Sequence, residues 1–360
     1  MRILVTGGSG FIGSWFYDEL LDADHELVFL DLEEPDYDAG RARFVRGDIR
    51  DAAAVRAAIP GCDAVLHLAA AHHDFGIEPD TYFDVNERGT QVICDVMDEF
   101  QVRSICFYST VAVYGDAPEP HHESSPTAPN SPYGASKLAG ERVLEAWSER
   151  GEGRNVIVIR PTVTYGPRNF ANMYSLIRQI DSGKFFQVGA GSNIKSLSYV
   201  ENIVEATTFL WAKDDRAPFE VFNYIDKPDL TSSQIAAAVY ESLGKRPPKV
   251  RVPMWAALLA AAPFDAVIKT TGKNLPVSSA RVKKLFSTQT KFEADRVRQA
   301  GFVAKASVRE GIDRMVKWYL AGGKNESAVW RTPPAEPRRF GNEPVESSAS
   351  SVGAEPAATP

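Results

Sequence analysis

The sequence predicts an α/β fold, a doubly wound parallel sheet with helices on both faces. Short apolar segments alternate with longer amphipathic segments through residues 1–165. A glycine-rich turn, VTGGSGFIG, joins the first apolar segment to the first amphipathic one. Short apolar strands separated by helices are typical of a parallel sheet that is buried on both faces, so this alternation predicts the fold class.

The expected elements follow one another in the order that such a sheet requires. Apolar runs predict strands at residues 3–5, 27–30, 64–68, 104–108 and 156–159, with a further strand before Asp48. Amphipathic patterns predict helices at residues 10–21, 52–58, 86–100 and 132–147.

The rest of the chain has a different character. After Pro161 the alternation loosens into loops rich in Gly, Asn and Pro. We expect residues 1–165 to form the first domain and residues 166–320 to form a smaller region, interleaved with it, over the carboxyl edge of the sheet. Residues 321–360 are rich in Pro, Ser and Ala, cannot bury enough apolar surface to fold, and are expected to be a disordered tail.

Composition and charge bear on the protein's partners and on its compartment. The net charge is −7 and no long Lys/Arg run occurs, so nucleic acid is not expected. Cys62, Cys94 and Cys106 lie in or beside apolar runs without metal-ligand spacing, which suits buried thiols in a reducing compartment. A strand begins almost at Met1 and leaves no room for an export signal, so a cytoplasmic location is expected.

One later segment, residues 255–268, is strongly apolar. It is too short to span a bilayer and carries Pro263 and Asp265, so no membrane span is expected. We interpret it as a core or lid helix, with contact to an apolar ligand or a membrane surface left open.

The glycine-rich turn predicts a phosphate site. Gly7, Gly10 and Gly13 follow the first strand and open the first helix. Glycine allows a tight turn and a close approach of a pyrophosphate to the backbone, and the helix N-terminus supplies N–H groups and a positive dipole end. The turn is therefore interpreted as a dinucleotide cradle.

Two aspartates refine that interpretation. Asp31 ends the second strand, where a carboxylate binds the adenosine ribose diol and would repel a 2′-phosphate, so NAD is favoured over NADP. Asp48, in RGDIRD, is placed to meet the adenine edge, and a loop-capping aspartate is an equally good interpretation.

The stretch SPYGASK predicts an acid/base pair. Tyr133 and Lys137 are four residues apart on an expected helix, so their side chains project from the same face. A tyrosine with its ordinary pKa of about 10 needs a nearby cation to act as a base near neutral pH. Of the tyrosines in the sequence, Tyr133 alone has a lysine four residues later.

Taken together, the motifs resemble the extended short-chain dehydrogenases/reductases, in particular the NAD-dependent epimerase/dehydratase group. The resemblance extends to about Trp318 and rests on TGGSGFIG, GDIRD, VLHLAA, DVNERGT, STVAVYG, YGASK, RPTVTYGPR and SLSYVENIVEA, in the family's order. It implies a Rossmann-like fold with NAD as cofactor, a small-molecule substrate bound in the later region, and a homodimer.

The resemblance also implies roles for individual residues. Tyr133 would exchange the substrate hydroxyl proton, Lys137 would lower the pKa of that tyrosine and bind the nicotinamide ribose, and Thr110, rather than Ser109, would orient the substrate oxygen. Cofactor contacts are expected at Gly7, Gly10, Phe11, Ile12, Gly13, Asp31, Asp48, Ile49, Leu68, Ala69, Ala70, Asn86, Tyr133, Lys137 and Pro161.

The residues after Thr110 narrow the reaction. Where dehydratases, decarboxylases and some epimerases of the family carry an additional acid or base, this chain has Val111 and Ala112. We therefore expect NAD-dependent epimerisation of a nucleotide sugar through a transient ketone. A dehydrogenase of an apolar secondary alcohol and a non-catalytic NAD-binding protein are the alternatives.

Substrate contacts are expected at His72, Thr110, Arg168 and Lys195. Arg168 and Lys195 are candidates for phosphate binding, and solvated surface cations are an equally good interpretation. Val163 replaces the asparagine that binds pyrophosphate in many sugar epimerases, which weakens the nucleotide-sugar interpretation. The pairs His72-His73 and His121-His122 lie in loops and are not expected to bind a metal, and His67 is expected to be a hydrogen-bonded core residue.

Overall fold

The structure, a computed structural model, describes residues 1–72, 77–248, 251–271, 279 and 290–326. The strands are β1 (Arg2–Thr6), β2 (Glu26–Asp31), β3 (Arg43–Arg46), β4 (Ala64–His67), β5 (Ser104–Tyr108), β6 (Asn155–Pro161), β7 (Val163–Tyr165), β8 (Ile194–Lys195), β9 (Leu197–Tyr199), β10 (Phe219–Tyr224) and β11 (Leu230–Thr231). The described helices are α1 (Phe11–Asp22), α2 (Ala52–Ala58), α3 (Pro79–Phe83), α4 (Gly89–Glu99), α5 (Pro132–Glu149), α6 (Asn172–Asp181), α7 (Val200–Trp211), α8 (Ser232–Ser242) and α9 (Met254–Thr271). Two further helices, Asp295–Gln299 and Val308–Ala321, are named by their residues.

Seven parallel strands form one sheet in the order β10-β6-β5-β4-β1-β2-β3, which confirms the predicted fold class. β1 pairs with β2 on one side and with β4 on the other. The strand order therefore reverses between β1 and β4. In open parallel sheets, ligands bind in the crevice that such a reversal opens at the carboxyl ends of the strands.

Both faces of the sheet are buried, because successive side chains of a strand point to opposite faces. In β1, Ile3 and Val5 belong to the core cluster that contains Phe16 of α1, whereas Leu4 belongs to the cluster that contains Leu144 of α5. The three cysteines are buried and free, as predicted.

His67 of β4 is a hydrogen-bonded core residue, as predicted. It is fully buried, with Nδ1 2.7 Å from Thr6 Oγ1 and Nε2 3.1 Å from Thr90 Oγ1. Burial, and to a lesser degree the nearby charge of Lys137, lower the pKa of this imidazole well below its usual value.

Two parts of the architecture differ from the expected elements. The helix expected at residues 86–100 is α4, and a π-helical turn, Asp84–Arg88, joins it to α3, so Asn86 lies in that turn. β10, from the later part of the chain, extends the large sheet by pairing with β6. The interleaving of the later region with the first domain therefore includes a shared sheet.

The smaller region lies beyond the carboxyl end of β6. β7 pairs with β9, and β8 pairs with β11. The Val308–Ala321 helix ends where the tail was expected to begin, and a short 3₁₀ turn, Gly323–Asn325, follows with Gly323 buried. The rest of the expected tail, from residue 327 on, lies outside the described residues. Among the described helices, none combines the length and apolar character that crossing a membrane requires.

Candidate functional site

The glycine-rich turn lies at the strand reversal, in contact with the segment that follows β4. Gly7 has φ +71°, and a Cβ there would lie 2.6 Å from Ala69 N. A Cβ on Gly13 would lie 2.2 Å from Gly8 O. Gly10 is the N-cap of α1 and has no side chain to accept from the first N–H groups of the helix. We call this opening, lined by Gly7, Gly10, Gly13 and Ala69, the dinucleotide crevice.

Asp31 lies beside the same turn. Its carboxylate accepts hydrogen bonds from Ser9 N at 3.1 Å and from Leu32 N at 2.8 Å. These bonds hold the carboxylate at the mouth of the crevice, where the sequence predicts that it binds a ribose diol.

Asp48 has an ion-pair partner of its own. Arg50 donates to it at 2.7 and 3.0 Å and also to Asp84 at 2.7 Å. Burial alone would lower the pKa of the Arg50 guanidinium, but these carboxylates raise it above its usual value. Asp48 therefore organises its loop, and an adenine contact stays a prediction.

Asn86 fixes the segment after β4. Its side chain accepts from Ala71 N at 2.9 Å and donates to Ala71 O at 3.0 Å and to Ser136 Oγ at 2.9 Å. Asn86 is fully buried, and its amide connects the segment after β4, at Ala71, to α5, at Ser136. The other expected cofactor contacts lie along the same edge of the sheet: Phe11, Ile12, Ile49, Leu68, Ala70 and Pro161.

The predicted acid/base pair lies on the first turns of α5. Ser131 caps the helix by accepting from Gly134 N at 3.1 Å, and Pro132 occupies its first turn. The Tyr133 ring is half-buried and packs edge-on against Tyr82. A Cβ on Gly134 would lie 2.5 Å from Ala112 O, so the loop after Thr110 touches this end of α5.

Lys137 is buried beneath this surface. Its side chain is 1% exposed, with Nζ 4.0 Å from the centroid of the Phe107 ring. Among the described residues, Nζ has no hydrogen-bond partner. Burial lowers the pKa of this ammonium to about 7, although the Glu141 carboxylate acts in the opposite direction.

Thr110 and Ser109 follow β5 and have different environments. Thr110 Oγ1 accepts from Ala112 N at 3.1 Å and caps a short 3₁₀ turn. Ser109 is buried and donates to the Glu141 carboxylate. Because the Ser109 hydroxyl has this buried partner, the geometry favours Thr110 as the hydroxyl that faces a substrate.

A buried ion pair that the sequence analysis missed supports this edge of the sheet. Arg160 of β6 donates to both oxygens of Glu141 on α5, and also to Tyr114 Oη at 2.9 Å. Tyr114 in turn donates to Asn223 of β10 at 2.7 Å. Burial alone would lower the pKa of Arg160, but Glu141 raises it above its usual value. The sequence analysis identified the motif RPTVTYGPR that contains Arg160. It could not show that Arg160 pairs with Glu141, which lies on another element.

Three of the expected substrate contacts, His72, Lys195 and Arg168, lie on separate elements. His72 is exposed, with Nδ1 3.2 Å from Ala70 O, and Lys195 is half-buried in β8. Arg168 lies against α1 instead, 5.3 Å from the centroid of the Trp15 ring and 3.4 Å from the Asp18 carboxylate. The substrate roles of these three side chains stay predictions. Among the described residues, no group of three or more His, Cys, Asp or Glu could hold a metal ion.

The residues present fit a dinucleotide. Close backbone approaches that only glycine allows hold the turn in place. Helix α1 begins at Gly10 without a side-chain cap, so its first N–H groups can receive a pyrophosphate. A buried ammonium needs acceptors, and the hydroxyls of the nicotinamide ribose would supply them to Lys137. The N-terminus of α1 and the Lys137 ammonium thus offer donors to the pyrophosphate and to the nicotinamide ribose of NAD.

Comparisons with known proteins identify the family. A model described as the NAD dependent epimerase/dehydratase family matches residues 3–224. N-acetyl-alpha-D-glucosaminyl-diphospho-ditrans,octacis-undecaprenol 4-epimerase of Escherichia coli O157:H7 is 39% identical over 330 residues, which cover 91% of this chain and 98% of that protein. A dTDP-glucose 4,6-dehydratase of Streptomyces niveus is 33% identical over 265 residues, 68% of this chain and 78% of that protein.

A solved structure gives the same result. The dTDP-glucose 4,6-dehydratase DesIV of Streptomyces venezuelae, with NAD bound, superposes with a TM-score of 0.71 at 27% identity. The match covers 90% of this chain and 98% of that one.

Proposed function

The chain belongs to the NAD-dependent epimerase/dehydratase family, and from this premise we propose that it is a 4-epimerase acting on a hexose joined to a diphosphate. The Escherichia coli relative is named as a 4-epimerase of such a sugar and aligns over nearly its whole length. That relative's sugar is carried by a polyprenol, whereas the solved neighbour is named for a nucleotide sugar. The shared chemistry is a sugar held by its diphosphate.

The observation that carries this proposal is the pair Val111 and Ala112 directly after Thr110. These aliphatic side chains supply no proton, whereas the dehydratases and decarboxylases that the sequence resembles carry an additional acid or base there. The backbone of this turn packs against the first turn of α5. Two reactions need only Thr110, Tyr133 and the cofactor: epimerisation through a transient ketone, and net oxidation or reduction of an alcohol. Removal and return of a hydride at one carbon is the simpler complete reaction, because it regenerates the cofactor.

The side chains would act as follows. NAD supplies, when bound, the hydride acceptor and donor for the sugar C4 carbon. Tyr133 Oη takes the proton of the C4 hydroxyl and later returns it, while Thr110 Oγ1 holds the same oxygen. Lys137 places a positive charge behind Tyr133 and favours its phenolate.

Epimerisation further requires that the ketone present its opposite face while the substrate stays bound. A diphosphate anchor remote from C4 permits this rotation. Lys195, in β8, is the expected anchor. Arg168 is the weaker candidate because its guanidinium lies over Trp15 and beside Asp18.

A second candidate, a dehydrogenase of an apolar secondary alcohol, has one observation in its favour. Val163, which replaces the expected asparagine, is 46% exposed and begins β7, just after β6 ends. An exposed aliphatic side chain at this edge suits an apolar substrate better than a pyrophosphate.

Product analysis separates these functions. The protein is incubated with a catalytic amount of NAD and, in parallel, with UDP-glucose, UDP-N-acetylglucosamine, and N-acetylglucosaminyl diphosphate on a short polyprenol in detergent. Conversion to a C4 epimer without accumulation of NADH is the expected result. A parallel set of reactions contains apolar secondary alcohols and NAD in excess. Accumulation of NADH there, with no sugar conversion, would establish the second candidate instead. Absence of any turnover would leave a non-catalytic NAD-binding protein.

A further inference from the structure

Helix α9 exposes apolar side chains on its solvent side. Trp255 is 70% exposed, Leu259 68%, Val267 45% and Phe264 41%. The opposite side packs through a narrow stripe in which Ala261 is buried. Surface helices normally place polar residues outward, and a helix that is apolar all round is usually covered. The sequence analysis expected a core or lid helix here, and the structure gives a helix with an apolar outer surface.

A second element contributes to this surface. Phe186, 66% exposed, lies in the loop between α6 and β8. Immediately after it, Gln187 O accepts from Val252 N at 2.8 Å, and Gly189 N donates to Val252 O at 2.9 Å. These bonds bring the loop against the start of α9. We call the combined surface the apolar face, formed by Phe186, Trp255 and Leu259.

Basic residues flank the apolar face although the chain as a whole is acidic. From residue 244 to residue 267 the sequence has four basic residues and one acidic residue, Asp265, against a net charge of −7 for the chain. One of the four, Lys245, is paired with Asp181. The side chains of Lys184, Arg246 and Arg251 are exposed. Apolar side chains bordered by Lys and Arg are typical of surfaces that lie in the headgroup region of an anionic bilayer.

One part of the apolar face is joined along the chain to the expected substrate anchor. The loop that carries Phe186 continues into β8 and Lys195. The chain then passes directly into β9, which pairs with β7 just beyond the carboxyl end of β6. The loop that carries Phe186 and the expected diphosphate anchor are thus successive parts of one stretch of chain.

We propose that the apolar face docks on an anionic phospholipid bilayer and so directs the site toward a sugar carried on a membrane-embedded polyprenyl diphosphate. The choice of carrier rests on the proposed function, whereas the docking does not. A second copy of the chain is the less suitable occupant, because a two-fold contact through this face would bring its basic flanks against each other.

Vesicle flotation tests the docking without any substrate. The full-length, NAD-loaded protein is mixed with vesicles of phosphatidylcholine alone or with added phosphatidylglycerol. We expect it to float with the anionic vesicles and to bind neutral ones more weakly. The double variant Trp255→Ser/Leu259→Ser should lose about tenfold or more of this binding. Val303→Ser and Leu320→Ser, which remove exposed apolar side chains elsewhere, are the matched controls and should bind as the parent does.

The possible outcomes separate docking from catalysis. The melting temperature and NAD affinity of each variant show that it is folded. Failure of the parent to bind vesicles, or equal losses in the control variants, would overturn the docking. Loss of a dimer in the double variant, without vesicle binding by the parent, would overturn it in favour of a second copy. Vesicle binding that depends on Trp255 and Leu259 supports the docking even if no sugar is epimerised, in which case the proposed function alone fails.

Discussion

The dinucleotide crevice and the apolar face meet their ligands in opposite ways. In the crevice, a single added methyl group at Gly7 or Gly13 would lie less than 3 Å from backbone atoms. On the apolar face, Trp255 and Leu259 expose more than two thirds of their surface. At the crevice the close backbone packing leaves little freedom for side-chain change, so we expect it to be selective for its ligand. The apolar face specifies only a kind of surface, and its individual side chains are exchangeable for others of similar size and polarity.

The largest effect is expected on turnover, from a substitution of the expected acid/base residue Tyr133. Tyr133→Phe removes the proton-transfer group and keeps the ring that packs against Tyr82. Turnover should fall by about 10³-fold or more while NAD affinity stays within about twofold. Steady-state kinetics and calorimetry measure the two quantities. Tyr240→Phe is the control, and near-parental turnover in Tyr133→Phe would remove Tyr133 from the mechanism.

A pair of glycines tests how closely the crevice is built. Gly7 and Gly183 have nearly the same φ, +71° and +70°, but a Cβ on Gly183 would have no heavy atom within 4 Å. Both alanine variants pay the same backbone strain, about 1 kcal/mol. Gly7→Ala should in addition displace the segment after β4 and weaken NAD binding by about 100-fold. Equal losses of NAD affinity in the two variants would show that strain alone matters.

Lys137 should make the NAD-free protein sensitive to pH. Burial lowers its folded-state pKa to about 7 from the usual 10.5, so the unfolded state binds more protons between these pH values. Stability should therefore fall as the pH falls through this window and then stay level below about 7. Lys137→Met removes the buried charge.

The Lys137→Met variant should be more stable than the NAD-free parent, by several kcal/mol at pH 7 and by little near pH 10. Melting temperatures across this range measure the difference. A constant difference at all pH values would contradict the assignment, and a strong loss of NAD binding in the variant is expected at the same time.

The smallest effect is expected at the mouth of the crevice. Asp31→Ala should narrow the preference for NAD over NADP by about tenfold, because the carboxylate that would repel a 2′-phosphate is gone. Calorimetry with both dinucleotides measures this. Asp38→Ala, an exposed aspartate in the following loop, is the control. Equal affinity of the parent for the two dinucleotides would contradict the role of Asp31.

Local patterns predicted most of the sheet. The strand at residues 104–108 and the helix at residues 52–58 have the predicted bounds, because their apolar periodicity and flanking residues are local signals. β10 was not predicted, since its pairing with β6 depends on residues far apart in sequence. The π-helical turn at Asn86 was missed for a related reason: this amide bonds to Ala71 and Ser136, and those contacts override the ordinary helical pattern.

The same distinction holds for the candidate site. Two motifs could be predicted because each is complete within a few residues: the Tyr133/Lys137 spacing and the glycine-rich turn from Gly7 to Gly13. The Glu141–Arg160 pair was not, since its partners lie on different elements and meet only after β6 has paired with β5. The position of Arg168 over Trp15 is a further case, because no local pattern reports which distant helix a loop residue will contact.

The sequence by itself determined the fold class and the glycine-rich turn, and it predicted the acid/base pair, because each depends on the chemistry and spacing of neighbours along the chain. Only the tertiary structure decided that Lys137 is buried without a described hydrogen-bond partner, and that Phe186 lies on a loop bonded to the start of α9. Burial and exposure are properties of the packed whole. An apolar residue such as Trp255 has the same sequence signature in a core and on a surface, and only the neighbours that folding brings to it distinguish the two.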